Sequence, residues 1–165
     1  MISIDYGTTD HAAVVLDFLY AAFAEHRGNI VPESSVFRQT VDSLRTTIEN
    51  QTLLLAYHEQ EPTKPVGCVL YVPKERGVPQ EQGLYFGRLA VHPEYRGHNV
   101  AQQLIARVEA DALSLNYSMV FLEVRIALTK NIALFERCGY QIASSHAHEG
   151  FEEDTYYQMI KRLTT

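Results

Sequence analysis

Cysteine is scarce in this chain. There are two in 165 residues, Cys68 and Cys138, and their spacing matches no metal-ligand pattern. Cys68 falls in an apolar, strand-like run, where a buried thiol is expected. No apolar run is long enough to span a bilayer and no N-terminal signal pattern is present, so the expectation is a soluble cytoplasmic protein. Repeats and low-complexity tracts are missing. So is any Gly-x-x-x-x-Gly-Lys-Ser/Thr run, which removes a P-loop phosphate site. Positive charge is also short: 14 Lys and Arg stand against 20 Asp and Glu, a net −6. That balance argues against nucleic acid as a partner and is compatible with cationic amine substrates. What is present is an ordinary globular mixture, 46% hydrophobic and 21% charged. The length suggests one domain over 1–165.

Alternation at Ile2 and Ile4 predicts a short first strand. Thr8, Thr9 or Asp10 can cap the helix that follows, and HAAVVLDFLYAAFAEHR is apolar over much of its circumference, so that helix should be buried up to its stop at Gly28. Pro32 and Ser34-Ser35 open a second helix, with Phe37, Val41, Leu44 and Ile48 at helical spacing. The run 52–57 reads as a buried strand, 58–65 as a turn with two prolines, 66–72 as a strand and 74–83 as a loop. A central strand spans 84–91, a helix about 97–115 and a strand 117–125. Thr129 is placed to cap a short helix ended by Gly139. Two antiparallel strands, 140–147 and 155–163, close the chain around an acidic loop. A meander followed by strand–helix–strand units implies an α/β fold: a mixed central sheet with helices on both faces, in the order β-α-α-β-β-β-α-β-α-β-β.

The stretch GLYFGRLAVHPEYRGHNVAQQL, residues 83–104, carries the most information. It reads as a strand stopped by Pro93, a turn, and a helix whose apolar face is Val100, Leu104, Ile105 and Val108. A glycine-bearing turn that enters a helix aims unpaired backbone N–H groups at one point, and the helix dipole adds partial positive charge. That combination makes a phosphate cradle. An ordinary strand-to-helix connection is the competing reading of these residues alone.

The segment Arg96-Gly97-His98-Asn99-Val100-Ala101, preceded by LAVHPEY, resembles motif A of the GCN5-related N-acetyltransferases (GNAT), Arg/Gln-x-x-Gly-x-Gly/Ala. The central Gly is replaced by Asn99, the side-chain-bearing residue that best tolerates the left-handed region. A second block, LEVRIALTKNIALFERCGY at 122–140, resembles motif B of the same family, and the element order matches over essentially the whole chain. In motif B the family's common Asn position holds Leu128, while Asn131 lies on the first helical turn. The family's frequent Tyr is Phe135, which has no proton to give.

The resemblance implies a GNAT fold and acetyl-CoA-dependent N-acetylation of a primary amine by direct attack on the thioester. It implies cofactor contacts from the main chain of Leu89, Ala90 and Val91, and from Arg96, Gly97, His98, Asn99, Val100 and Ala101. In the family the central strand and its neighbour splay apart, and the pantetheine arm pairs with the free edge. Asn131 either binds the cofactor arm or helps cap its helix, and Phe135 packs against the cofactor.

The attacking amine, with a pKa of about 10.4 for an alkyl ammonium or about 7.7–8.0 for an α-amino group, must first lose a proton. Glu123, in the LEVR position whose Glu is the base of the ribosomal-protein alanine acetyltransferases, is the candidate general base. Its alternative is a strand carboxylate paired with Arg125. Tyr140 is the candidate acid, set against a core role, and solvent can protonate the thiolate instead. A sensor of the same fold that binds acyl-CoA without turnover is the alternative that Asn99 and Phe135 keep open.

His146, His148 and Glu149 invite a metal reading, but no further ligand supports it and no metal is expected. In the family that hairpin lines the acceptor pocket, together with the loops at 27–35 and 74–82. His92 and His98 read as surface residues rather than catalysts. The acceptor, a small-molecule or peptide amine, is not encoded in a decisive pattern, and oligomeric state stays open, a homodimer among the options.

Overall fold

The computed structural model describes residues 1–77 and 80–164. Val78 and Pro79, inside the loop expected over 74–83, lie outside the described residues, as does Thr165. The elements follow the expected order: β1 (Ile2–Tyr6), α1 (Ala12–Phe23), α2 (Val41–Asn50), β2 (Thr52–His58), β3 (Gly67–Arg76), β4 (Glu81–Val91), α3 (Val100–Ser114), β5 (Met119–Arg125), α4 (Thr129–Arg137), β6 (Gln141–His146) and β7 (Tyr156–Arg162). They build a mixed seven-stranded sheet in the order β1-β2-β3-β4-β5-β7-β6. β4 and β5 are parallel, whereas β1/β2, β2/β3, β5/β7 and β6/β7 are antiparallel.

The chain forms two compact units. The first holds residues 1–72 and 87–107, the second 73–86 and 108–165. In the first unit, α1 is buried along Val15, Leu16, Phe18, Leu19 and Ala22, and it shares a core with Leu44 and Ile48 of α2, Leu53 and Leu55 of β2, and Cys68 and Leu70 of β3. Ala13, Asp17 and Ala21 form the exposed face of α1, and the rest of its circumference is apolar and faces the core. In the second unit Met119, Val120, Phe121 and Leu122 are buried, with Leu84, Phe86, Tyr140 and Met159. Continuous apolar sequence in β5 is what a strand covered on both faces requires.

Several boundaries differ from the sequence expectation. Ser34 caps a 3-10 turn, Ser35–Arg38, and α2 opens only at Val41. There Thr40 and Ser43 exchange bonds: Ser43 N–H donates to Thr40 Oγ1 at 3.1 Å and Thr40 N–H to Ser43 Oγ at 2.8 Å. Two capping signals stand six residues apart, and the reciprocal box wins the α-helix. α1 ends at Phe23 and runs into a 3-10 turn, Ala24–His26, short of Gly28. Thr129 is the first residue of α4 rather than its cap; Leu128 holds the cap position and makes no side-chain bond there. The expected loop over 74–83 is largely strand, since β3 continues to Arg76 and β4 starts at Glu81.

Candidate active site

In the first unit, β4 ends at Val91 and a 3-10 turn, Pro93–Tyr95, follows. His92 Nδ1 accepts from Glu94 N–H at 3.2 Å and caps it. The chain then turns through two left-handed residues, Gly97 at φ +85° and Asn99 at φ +59°. A Cβ at Gly97 would meet nothing within 4 Å, so the space over the turn is open, while the positive φ is what demands glycine there. α3 starts at Val100, and its first intrahelical bond is Gln103 N–H to Asn99 C=O at 3.1 Å. Helix geometry therefore leaves the N–H groups of Val100, Ala101 and Gln102 without an intrahelical acceptor. Asn99 holds its left-handed conformation because its short amide side chain tolerates αL. The bend, the open space and the helical donors together fit an anionic diphosphate.

The turn is braced on both sides. Arg96 Nη2 donates to Ala22 C=O, one of the last carbonyls of α1, at 3.2 Å. The same nitrogen lies 2.8 Å from Glu25 Oε1. A cation at a helix C-terminus is also favoured by the dipole. On the other side, the His98 ring centroid is 5.8 Å from that of Tyr95 and 5.7 Å from that of His58, and His58 and Tyr95 lie 5.2 Å apart. Desolvation, and after it Glu61, holds the Tyr95 phenol above its ordinary pKa.

Upstream, Ala90 is buried between Leu89 and Val91, which are partly exposed. Arg88 departs from the strand conformation altogether, with φ +54°. A left-handed arginine in mid-strand breaks the regular pleat as a β-bulge does. It is held there: Arg88 Nη2 donates to Ser35 Oγ at 2.9 Å and to Gln39 Oε1 at 3.2 Å, and its carbonyl accepts from the Cys68 thiol at 3.3 Å. Burial drives that thiol's pKa far upward. The segment following the 27–35 loop is thereby tied to β4, and Tyr20 adds a bond to Gln39 C=O at 2.5 Å.

The other sequence candidates belong to the second unit. Glu123 projects from β5, exposed, and its Oε2 accepts from Gln158 Nε2 at 3.2 Å. Asn131 lies on the first turn of α4, partly exposed. Phe135 is 7% exposed, and its ring packs with Phe86 at 6.0 Å and Tyr140 at 6.5 Å. Tyr140 is 2% exposed. Its hydroxyl donates to Glu109 Oε2 at 2.9 Å, and Lys161 Nζ bonds Glu109 Oε1 at 2.9 Å and Cys138 C=O at 2.8 Å. Burial, then the Glu109 carboxylate, pushes the Tyr140 pKa well above that of a free phenol.

In the β6–β7 hairpin, Ser144 Oγ and His146 Nε2 are 2.7 Å apart, and the His146 and His148 rings lie 5.3 and 4.7 Å from that of Tyr156. Among the described residues no group of three His, Cys, Asp or Glu is arranged to hold a metal ion, and no helix is long and apolar enough to cross a membrane. Arg88, Arg76 and Gln158 are the functional candidates that sequence reasoning missed. No local signal marks them, since each matters through a partner 35 to 82 residues away.

Solved structures share this mixed α/β fold. An acetyltransferase of the GNAT family from Streptococcus pneumoniae superposes with a TM-score of 0.73 at 17% identity, covering 99% of this chain and 100% of that one. The ribosomal-protein-S18-alanine N-acetyltransferase from Escherichia coli gives 0.74 at 13% identity, over 100% and 96%. A chain of the NatC complex bound to Gag peptide and CoA gives 0.69 at 17% identity, over 99% of both chains. No curated protein sequence matches the chain significantly. The Acetyltransferase (GNAT) family model matches residues 16–140. The chain belongs to that family and is an acyltransferase.

Proposed function

We propose that this protein is an acetyl-CoA-dependent N-acetyltransferase that moves the acetyl group to a primary amine by direct attack on the thioester. The observation that carries the reading is the turn at 96–101: two left-handed residues and open space above Gly97, leading into a helix whose first N–H groups have no intrahelical acceptor. In this reading those N–H groups, with Arg96 as a brace, hold the diphosphate, and the main chain of Leu89, Ala90 and Val91 pairs with the pantetheine arm. Asn131 contributes a polar contact to the cofactor arm and Phe135 an apolar one. Acetyl-CoA, when bound, supplies the thioester carbonyl that the amine attacks.

Glu123 takes the proton from the ammonium, directly or through one water, so that the nitrogen lone pair can form the new N–C bond as the C–S bond breaks. Holding amine and thioester together carries much of the rate gain. The Tyr140 proton is committed to Glu109, and we assign protonation of the leaving thiolate to solvent.

The acceptor is a small-molecule or peptide amine in the cytoplasm. The E. coli and NatC relatives, named for a ribosomal-protein alanine and a bound peptide, favour the peptide end of that range. A second reading, an acyl-CoA sensor without turnover, is favoured by Phe135 standing where the family places a phenol.

One experiment separates them: acetyl-CoA thioester loss followed with a panel of polyamines, amino acids and peptide N-termini, alongside thermal shift with CoA. We expect a rise in Tm and thioester loss with at least one amine class. A rise in Tm without turnover supports the sensor. An unchanged Tm at millimolar CoA overturns both.

A further inference from the structure

Cross-strand register places two rows of polar side chains on one face of the β5–β7–β6 ladder. Glu123 pairs with Gln158 and Gln158 with Ser144; Arg125 pairs with Tyr156 and Tyr156 with His146. Paired residues in a sheet share a face. In the first row the hydrogen bonds form a chain with one allowed direction. Arg76 Nε donates to Gln158 Oε1 at 3.1 Å, and Gln158 Nε2 donates to Glu123 Oε2 at 3.2 Å. A guanidinium can only donate and an ionised carboxylate can only accept, so the amide between them has a single orientation. Its dipole points the N–H at the carboxylate.

We infer that Gln158 is a positioning residue for Glu123, with Arg76 fixing the amide; the inference rests on the reading of Glu123 as the base. An exposed glutamate has three rotatable bonds, and a general base must sit within about 2.6–3.2 Å of the proton it takes. Anchoring Oε2 from the neighbouring strand restricts that freedom. Among the described residues Oε1 accepts no hydrogen bond, which leaves it available to the amine. Three strands far apart in sequence, separated by 82 and 35 residues, thus converge on one carboxylate oxygen. Tyr156 on β7 and His148 in the hairpin lie near Glu123, and Arg125 on β5 lies near His148. Glu81 on β4 lies near Arg76.

The test uses four variants and the amine that gives turnover. E123Q should lower kcat by about 10²- to 10³-fold. Q158L should lower kcat about tenfold with the acetyl-CoA KM unchanged, since misplacing a reacting group costs orders of magnitude. The double variant E123Q/Q158L should be no more than about twofold slower than E123Q, because the two act as one unit. Q158E is isosteric and sets a second carboxylate beside Glu123. The pair then shares a proton, and the acid limb of kcat/KM moves up by about one pH unit or more. A fold or packing effect alone would not move that limb.

Normal kcat in Q158L with an unmoved limb in Q158E, while E123Q is slow, overturns the inference and leaves the Glu123 reading standing. Additive losses in the double variant overturn it equally. Wild-type turnover in E123Q removes the base assignment itself, and the role of Gln158 with it.

Discussion

Arg96 opens the family signature, yet its guanidinium is spent on the protein itself. It holds Ala22 C=O and Glu25 at the end of α1, which makes it a brace for the turn. Both partners of the ion pair are about half exposed, so the pair contributes at most about 1 kcal/mol to stability. The consequence belongs to binding. Arg96→Ala should raise the acetyl-CoA KM by about three- to tenfold, with kcat nearly unchanged and a stability loss within about 1 kcal/mol. Steady-state kinetics and a denaturant titration check it; a fall in kcat at constant KM would contradict the bracing role. Asn99, the residue that departs from the signature, adopts the left-handed backbone that glycine would take without strain.

The start of α3 is fixed from below by β3. A Cβ on Gly67 would stand 2.7 Å from Val100 Cγ1, 3.1 Å from Leu104 Cδ1 and 3.3 Å from Ala90 C=O. Val100 is β-branched and stiff at χ1, so it cannot swing aside. Gly67→Ala must therefore push the first turn of α3 away from the strand, at a cost of about 1–3 kcal/mol. Because that turn supplies the N–H groups of the proposed cradle, the acetyl-CoA KM should rise together with the loss of Tm. Adding Val100→Ala removes the clashing methyls and should recover part of both. A Gly67→Ala protein with lowered Tm and normal KM would mean that α3 can shift without disturbing the cofactor.

The elements also show what local sequence carries. The order of strands and helices was legible because period and punctuation are local properties, and the turn at 96–101 was legible because one continuous run of residues builds it. The start of α2 was misplaced because Ser34 and Thr40 are equally good caps, and only the reciprocal bond to Ser43 decides between them. The left-handed Arg88 left no trace, because an arginine adopts φ +54° only when side chains from distant segments hold it there. Arg76 and Gln158 were invisible for the same reason: their chain exists only once β3, β5 and β7 are in register.

At the scale of the whole molecule, family membership rests on the match over residues 16–140, and the relatives at 13–17% identity share the fold. A shared fold does not select the acceptor. The account of function hangs instead on where the cofactor's diphosphate goes. A crystal structure of the protein with CoA measures that directly. The account predicts diphosphate oxygens within hydrogen-bond distance of backbone N–H groups between Gly97 and Gln102. A diphosphate bound elsewhere, with no contact to those groups, would contradict it.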